Sequence, residues 1–415
     1  MSASRCNTLG LYISIPFCRS KCTYCNFASG VFPVSDHARY VERVIADLEA
    51  TSQWAEKMSV ELPRSVDSVY LGGGTPSLLE PELVDRLFSA LRQRFDFINA
   101  AEITIECAPA QISEETLQAL LQAGMNRASL GVQSFIDSEL KLSGRLHTRA
   151  TALETITRLR AAGVTNLSVD LIAGLAGQTE ASWEESLDLL TALELPHASL
   201  YMLEVDEDSR LGREMLAGGA RYHAAEVPDD DTIARMYSHG IERLEASGLK
   251  QYEISNFARG GQESLHNLRY WRRQPYLGLG LDASSMLSAT VADSAASLAE
   301  QMAEKYVLRS TTSDDLAAYL AGTEPAETAW LSPDRQHEEA WFLGLRLNAG
   351  VDLATIEEEF GPERVARALA TVTRLSGTDL ILHDGATVRL TPQGRLLSND
   401  VFQEFLEQDG EEEDR

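Results

Sequence analysis

The sequence predicts an α/β fold, with strand–helix units that build a parallel sheet, followed by a mainly helical C-terminal domain. Three observations lead there. From residue 9 to about 250, short β-rich runs alternate with longer amphipathic segments, the order that produces a parallel sheet with crossover helices. After residue 250 this rhythm stops. The chain has 415 residues, and at roughly 150 residues per domain it should hold two or three, with an α/β barrel allowed to run longer.

Six strands are expected: "LGLYISIP" (9–16), "SVYLGGG" (68–74), "EITIECAP" (102–109), "RASLGVQS" (127–134), "NLSVDLIAG" (166–174) and "HASLYMLEV" (197–205). The segments between them, such as "DHARYVERVIADLEA", "PELVDRLFSALRQRF" and "TALETITRLRAAG", repeat apolar residues every three or four positions, which gives a helix one buried stripe. "LQAGMNR" and "RAAGVTN" end helices on a glycine suited to a left-handed C-cap. "QYEISNFA" reads as one more strand, and an aromatic and arginine-rich stretch, "HNLRYWRRQPYLGLGLDAS", follows it. From about 312 the chain should be mostly helical. "HEEAWFLGLRLNAGVDLATIEEEFG" suggests helix, turn and helix, and "DLILHDGATVRLTPQGRLLSNDVFQEFL" suggests a hairpin around Asp-Gly and then a helix. That order resembles a winged-helix module. The expected domains are a core over 1–250, a connecting segment over 251–310 and a C-terminal helical domain over 311–415.

Composition excludes several functions. With 44% apolar and 24% charged residues, the chain has the material of a globular core. Its 36 basic and 63 acidic residues give a net charge of −27, which disfavours general attraction to nucleic acid or anionic lipid. The winged-helix-like end and its acidic tail "EQDGEEEDR" are therefore expected to serve structure or protein contact rather than DNA binding. No apolar run long enough to span a membrane and no signal-peptide pattern is present, so a cytoplasmic location is expected.

Cys18, Cys22 and Cys25 stand in a C-x3-C-x2-C spacing directly after the first strand. Five cysteines in all, three of them crowded into eight residues, argue against a disulfide framework and for a metal site. A closed zinc site needs four ligands, and neither Cys6 nor His37 completes a standard spacing. A 4Fe-4S cluster takes one cysteine per iron, so three cysteines leave one iron open. Cys107, inside the third strand, reads as a small buried residue.

On these motifs the chain resembles the radical S-adenosylmethionine (SAM) superfamily. The resemblance implies a partial (β/α)6 TIM-type barrel and a 4Fe-4S cluster whose open iron is chelated by SAM. It also implies one-electron cleavage of SAM to a 5′-deoxyadenosyl radical. Gly73, Gly74 and Thr75 of "YLGGGTPS" match the family's glycine-rich SAM loop. Glu106, Gln133, Arg145 and Asp170 match positions that contact the ribose, carboxylate or sulfonium region, and Tyr12 and Tyr24 match positions near the cofactor.

Within the superfamily, "IPFCRSKCTYC", "GGGTPS", "SLGVQSF", "GRLHT", "DLIAGLAGQT" and "YEISNFA" resemble the group around oxygen-independent coproporphyrinogen III dehydrogenase. The dehydrogenase carries a further cysteine two residues after the third ligand and a long arm before strand one. Here Phe27 takes that place, and only about ten residues precede the strand. Both departures match the heme chaperone branch, which also bears H-N-x-x-Y-W, present as His266, Asn267, Tyr270 and Trp271. That resemblance implies heme as ligand, apo-hemoproteins as acceptors, and dimerisation or peripheral membrane docking as means of control. Neutral imidazole is a standard axial ligand of heme iron, and Arg269, Arg272 and Arg273 are placed to meet propionates. The competing reading is a satisfied loop histidine in an aromatic cluster with arginines stacked on its rings. Relatives usually have asparagine before the proline of "ECAPAQ"; Ala108 stands here, so no substrate contact carries over to it.

Overall fold

The computed structural model describes residues 8–290, 306–322 and 326–406. Cys6 and the acidic tail fall outside the described residues.

Six parallel strands, β1 (Leu9–Ile15), β2 (Ser65–Gly73), β3 (Asp96–Cys107), β4 (Arg127–Gln133), β5 (Asn166–Ala173) and β6 (His197–Met202), pair in consecutive order. Their alternation explains the arrangement. In β1, Leu9, Leu11, Ile13 and Ile15 are fully buried and share one hydrophobic core with Val69 and Leu71 of β2. The same core takes Tyr40, Val41, Val44 and Leu48 of the helix Ser35–Met58, and Val84, Leu87 and Leu91 of the helix Pro81–Arg94. Each such leucine contributes about 1.5–3 kcal/mol through burial. Helices thus cover one face of the sheet, as the apolar stripes predict. Gly124 and Gly163 end their helices at φ +97° and +91°, the left-handed conformation expected for them.

The sheet does not stop at residue 250. β7 (Lys250–Gln251) and β8 (Asn256–Ala258) extend it beyond β6, with β8 antiparallel to β6. On the opposite side β9 (Tyr276–Leu279) lies parallel to β1, and β10 (Ser284–Ser288), β11 (Val307–Thr311) and β12 (Glu327–Leu331) continue antiparallel. The result is one twelve-stranded sheet with β12 and β7 at its edges, an open, partial barrel. The segment read as a connector therefore supplies strands to both sides of the barrel, and β12 lies in the stretch expected to be mostly helical.

The mainly helical C-terminal domain begins at Pro333, not at 311, because β12 belongs to the main sheet and Tyr319 to the main core. Helices Pro333–Arg346, Leu353–Phe360 and Pro362–Leu375 precede a small sheet of β13 (Val351–Asp352), β14 (Ile381–His383) and β15 (Thr387–Leu390), ordered β13-β15-β14. Gly385, in the Asp-Gly turn, takes φ +93°. Trp341, Phe360, Val372, Val388 and Val401 form a separate core, which also receives Ile254 from the segment between β7 and β8. Ile254 N–H donates to the Arg346 carbonyl at 3.2 Å, so backbone contact joins the two parts.

Candidate functional site

Side chains alternate along a strand, so the face opposite the helices carries the other residues of each pair. In β1 these are Tyr12 and Ser14, in β2 Ser68 and Tyr70, in β3 Glu102, Thr104 and Glu106, in β4 Arg127 and Ser129, in β5 Ser168 and Asp170, and in β6 His197 and Ser199. Parallel strands usually read apolar on both faces, and a closed barrel is usually filled with branched aliphatic residues. The inner face of this barrel is instead polar and largely buried.

The cysteines sit on the loop leaving β1. Cys18 N–H donates to Gly30 O at 2.8 Å and Gly30 N–H to Pro16 O at 2.9 Å. Lys21 Nζ reaches the carbonyls of Phe27 (2.5 Å) and Ser29 (2.9 Å), so the loop is folded on itself. Thr23 N–H bonds to Ser143 O at 3.1 Å, and Leu211 N–H to Thr23 O at 2.8 Å. All three thiols are free and half-buried. Burial raises the Cys18 pKa, opposed by hydrogen bonds from Thr75 and Ser29. Phe27 is 63% exposed beside this loop.

Among the described residues no three His, Cys, Asp or Glu donors converge. A 4Fe-4S cube sets its cysteines farther apart, one per iron, and three thiols with no fourth match that donor set. Cys107 lies on the helix side of β3, 3% exposed in the main core, and burial pushes its thiol pKa up to about 12.

The residues matched to SAM gather at the strand ends. Gly74 N–H donates to Ile15 O (2.9 Å) and Thr75 N–H to Phe17 O (2.8 Å). A Cβ on Gly74 would stand 2.7 Å from Ile15 O and 2.9 Å from Phe17 O, so glycine is required for β2 to lie against the cysteine loop. Gly73, at φ +95°, lies beside the Tyr12 hydroxyl. Thr75 Oγ1 donates to Cys18 Sγ at 3.8 Å, and Arg145 Nη1 to Cys22 Sγ at 3.5 Å. Arg145 also bonds the Gly131 carbonyl, and the buried Tyr24 hydroxyl lies beside Cys22 and Arg145.

Gln133, ending β4 at φ +70° where the β4–β5 register shifts, keeps a buried Oε1 without a partner among the described residues. Glu106 accepts from the Tyr70 hydroxyl at 2.9 Å. Burial pushes its pKa up to about 7. Asp170 accepts from Ser199 (2.7 Å), Ser129 (3.2 Å) and Ser168 (3.3 Å), and its pKa too is raised by burial. The structure thus brings Gly73, Gly74, Thr75, Arg145 and the cysteine loop together directly, with Glu106 and Asp170 on the inner face below.

The H-N-x-x-Y-W residues form the helix Leu265–Trp271, capped by Ser264. Glu102 accepts from the backbone N–H groups of Leu265 (3.1 Å) and His266 (3.2 Å). His266 is 1% exposed. Its Nδ1 pairs with Ser68 Oγ at 3.0 Å and its Nε2 with the Tyr270 hydroxyl at 2.9 Å. Its ring stacks 5.3 Å from that of Tyr70, and burial lowers its pKa to about 3, so the imidazole is neutral. Asn267 is half-buried in the same turn, and Trp271 lies under the Arg346 guanidinium at 4.3 Å.

Two of the arginines expected at propionates are engaged within the chain. Arg269 is buried in an ion pair with Asp67, and Arg273 holds Glu359 through both terminal nitrogens, at 3.0 and 2.6 Å. Arg272 is exposed. A stacked cluster with both imidazole nitrogens bonded is therefore the geometry present; for His266 to ligate iron, Nε2 would have to leave Tyr270 or Nδ1 would have to leave Ser68.

Comparison with known proteins decides the family. The chain is 32% identical to heme chaperone HemW of Lactococcus lactis over 95% of its own length and 96% of that protein. The chain belongs to the HemW family. It is 33% identical to HemW of Bacillus subtilis over 95% of this chain and 98% of that one, and 36% identical to HemW of Escherichia coli over 66% and 69%. The Radical SAM superfamily model matches residues 12–190 and the HemN C-terminal domain model residues 331–397. The structure of coproporphyrinogen III oxidase (HemN) from Escherichia coli matches with a TM-score of 0.78 over 97% of this chain and 91% of that one. At 23% identity that likeness shows the shared fold. Membership in the radical SAM superfamily implies SAM and a 4Fe-4S cluster.

Sequence reasoning missed the inner-face residues between the motifs: Ser68 and Tyr70, which hold His266 and Glu106, Ser129 and Ser199 around Asp170, and Arg127. The signal was the strict alternation of "LYISI" and "RASLGVQ".

Proposed function

We propose that the chain is a heme chaperone: it binds heme, carries a SAM-ligated 4Fe-4S cluster on Cys18, Cys22 and Cys25, and passes heme to acceptor apo-hemoproteins. Gly73, Gly74, Thr75, Glu106, Gln133, Arg145 and Asp170 hold SAM at the strand ends, with Tyr12 and Tyr24 beside it. When bound, the cluster and SAM supply one-electron chemistry. The observation that carries the heme reading is the neutral imidazole of His266, set among Tyr12, Tyr70 and Tyr270 on the barrel's polar face. A neutral ring is the form that ligates iron, and aromatic planes suit a porphyrin. Heme binding requires His266 to exchange a hydrogen bond for iron, with Tyr270, Trp271 and Asn267 moving with the helix. Among the described residues no helix is long and apolar enough to cross a membrane.

The test is an anaerobic heme titration of the cluster-loaded protein and its His266→Ala variant. The unaltered protein should develop a Soret band at one equivalent and the variant a weaker, shifted one. Unchanged Soret absorbance would remove His266 as ligand. Incubation with coproporphyrinogen III and a reductant should leave the substrate intact. Stoichiometric protoporphyrinogen would replace the chaperone with a dehydrogenase.

A further inference from the structure

Arg127, the first residue of β4, is 2% exposed. Among the described residues it makes no side-chain hydrogen bond and no ion pair, and its Nε is buried without a partner. A guanidinium cannot shed its charge as a lysine or histidine can, so leaving it buried and unpaired is strongly unfavourable unless something else meets it. The inner-face carboxylates give it no hydrogen bond. Arg127 lies within electrostatic reach of Glu106, Asp170 and His266, yet Glu106 is bonded to Tyr70 and Asp170 to three serines.

Its lateral neighbours share the deficit. Thr104 on β3 and Asn166 on β5 pair in register with Arg127, and among the described residues Thr104 Oγ1 and Asn166 Oδ1 are also buried without partners. Three adjacent strands therefore present unmatched polar atoms at one level of the inner face. That level lies at the N-terminal ends of β4 and β5. Gln133 closes the other end of β4, six residues on, which at about 3.3 Å per residue is roughly 20 Å away. A guanidinium flanked by a hydroxyl and an amide, whose O and N can exchange places, is an oxyanion receptor. With Glu106 and Asp170 nearby, a singly charged carboxylate fits better than a doubly charged phosphate.

We propose that Arg127, with Thr104 and Asn166, forms a carboxylate subsite that receives a propionate of the bound porphyrin. Identifying that porphyrin as heme rests on the function proposed above. The subsite takes the part that Arg269 and Arg273, already paired to Asp67 and Glu359, cannot take.

The test titrates heme and heme dimethyl ester, whose propionates are blocked, anaerobically into the full cluster-loaded protein, Arg127→Met and Arg127→Lys, followed by Soret absorbance. The unaltered protein should bind heme at least about tenfold tighter than the ester. Arg127→Met should bind both alike, with the ester's affinity unchanged. Arg127→Lys should fall between, because an ammonium keeps the charge and loses the fork. A preference for heme that persists in Arg127→Met, or equal loss of both ligands, overturns the subsite. Equal binding of both ligands by the unaltered protein also overturns it and leaves heme binding standing. Binding of neither overturns the heme reading and the propionate with it. The melting temperature of ligand-free Arg127→Met should stay level or rise, since the deleted guanidinium is buried without a hydrogen-bonded partner among the described residues; a fall marks a structural arginine and overturns the proposal.

Discussion

Asp67→Ala should loosen the segment that carries His266. The Arg269 side chain is 1% exposed and that of Asp67 26%. Arg269 Nη1 also donates to the carbonyls of Pro275 (2.8 Å) and Thr8 (3.2 Å). Removing one partner of a buried ion pair costs about 3–5 kcal/mol, because the remaining charge stays in the interior. Partial exposure of the carboxylate and the two carbonyls that remain reduce this to about 2–3 kcal/mol. In urea unfolding with a slope of about 3 kcal/mol/M, the midpoint should fall by about 1 M. Arg269→Met added to Asp67→Ala should recover part of the loss, since no unpaired charge is then left. Ser68, which holds His266 Nδ1, is the next residue in β2, so heme affinity should change in the single variant as well. A midpoint that does not move, or a double variant less stable than the single one, refutes this account of how the helix is anchored.

Two further predictions concern the cysteines and Glu106. After anaerobic reconstitution, alanine at Cys18, Cys22 or Cys25 should abolish bound iron and sulfide, whereas Cys107→Ala, on the helix face of β3, should retain both; iron loss in Cys107→Ala would contradict the assignment. For Glu106, burial, with the nearby Asp170 carboxylate adding to it against the Tyr70 hydrogen bond, raises the pKa from 4.5 to about 7. Between those values the folded protein holds a proton that the unfolded chain has released. This stability, about 3 kcal/mol, is therefore full below about pH 4.5 and is lost as the pH rises through about 7. Urea midpoints of the cluster-free protein across that window should fall with pH, and Glu106→Gln should flatten the trend; parallel curves would refute it.

Local patterns made the six parallel strands legible, because "LYISI" and "NLSVDLIA" alternate with period two and state which residues face the helices. They could not reveal β9. "YLGL" holds a glycine among four residues, too short a run to show a period, and it becomes a strand by pairing with β1, more than 260 residues earlier. The same limit governs the site. The cysteine and glycine motifs are contiguous in sequence, so the two loops that the structure brings together could be picked out directly. The state of His266 could not, since one imidazole nitrogen is held by Ser68, 198 residues away, and the arginine three residues after it is paired to Asp67. Arg127 shows that non-local facts can still leave a local trace. In "RASLGVQ" it shares the inner face with Ser129 and Gly131, while Ala128, Leu130 and Val132 belong to the core. A charge at that place in a buried parallel strand needs hydrogen-bond acceptors on the inner face, and none of the described residues bonds its Nε; the alternation that defines the strand thus also points to the place where the barrel has room for a further acceptor.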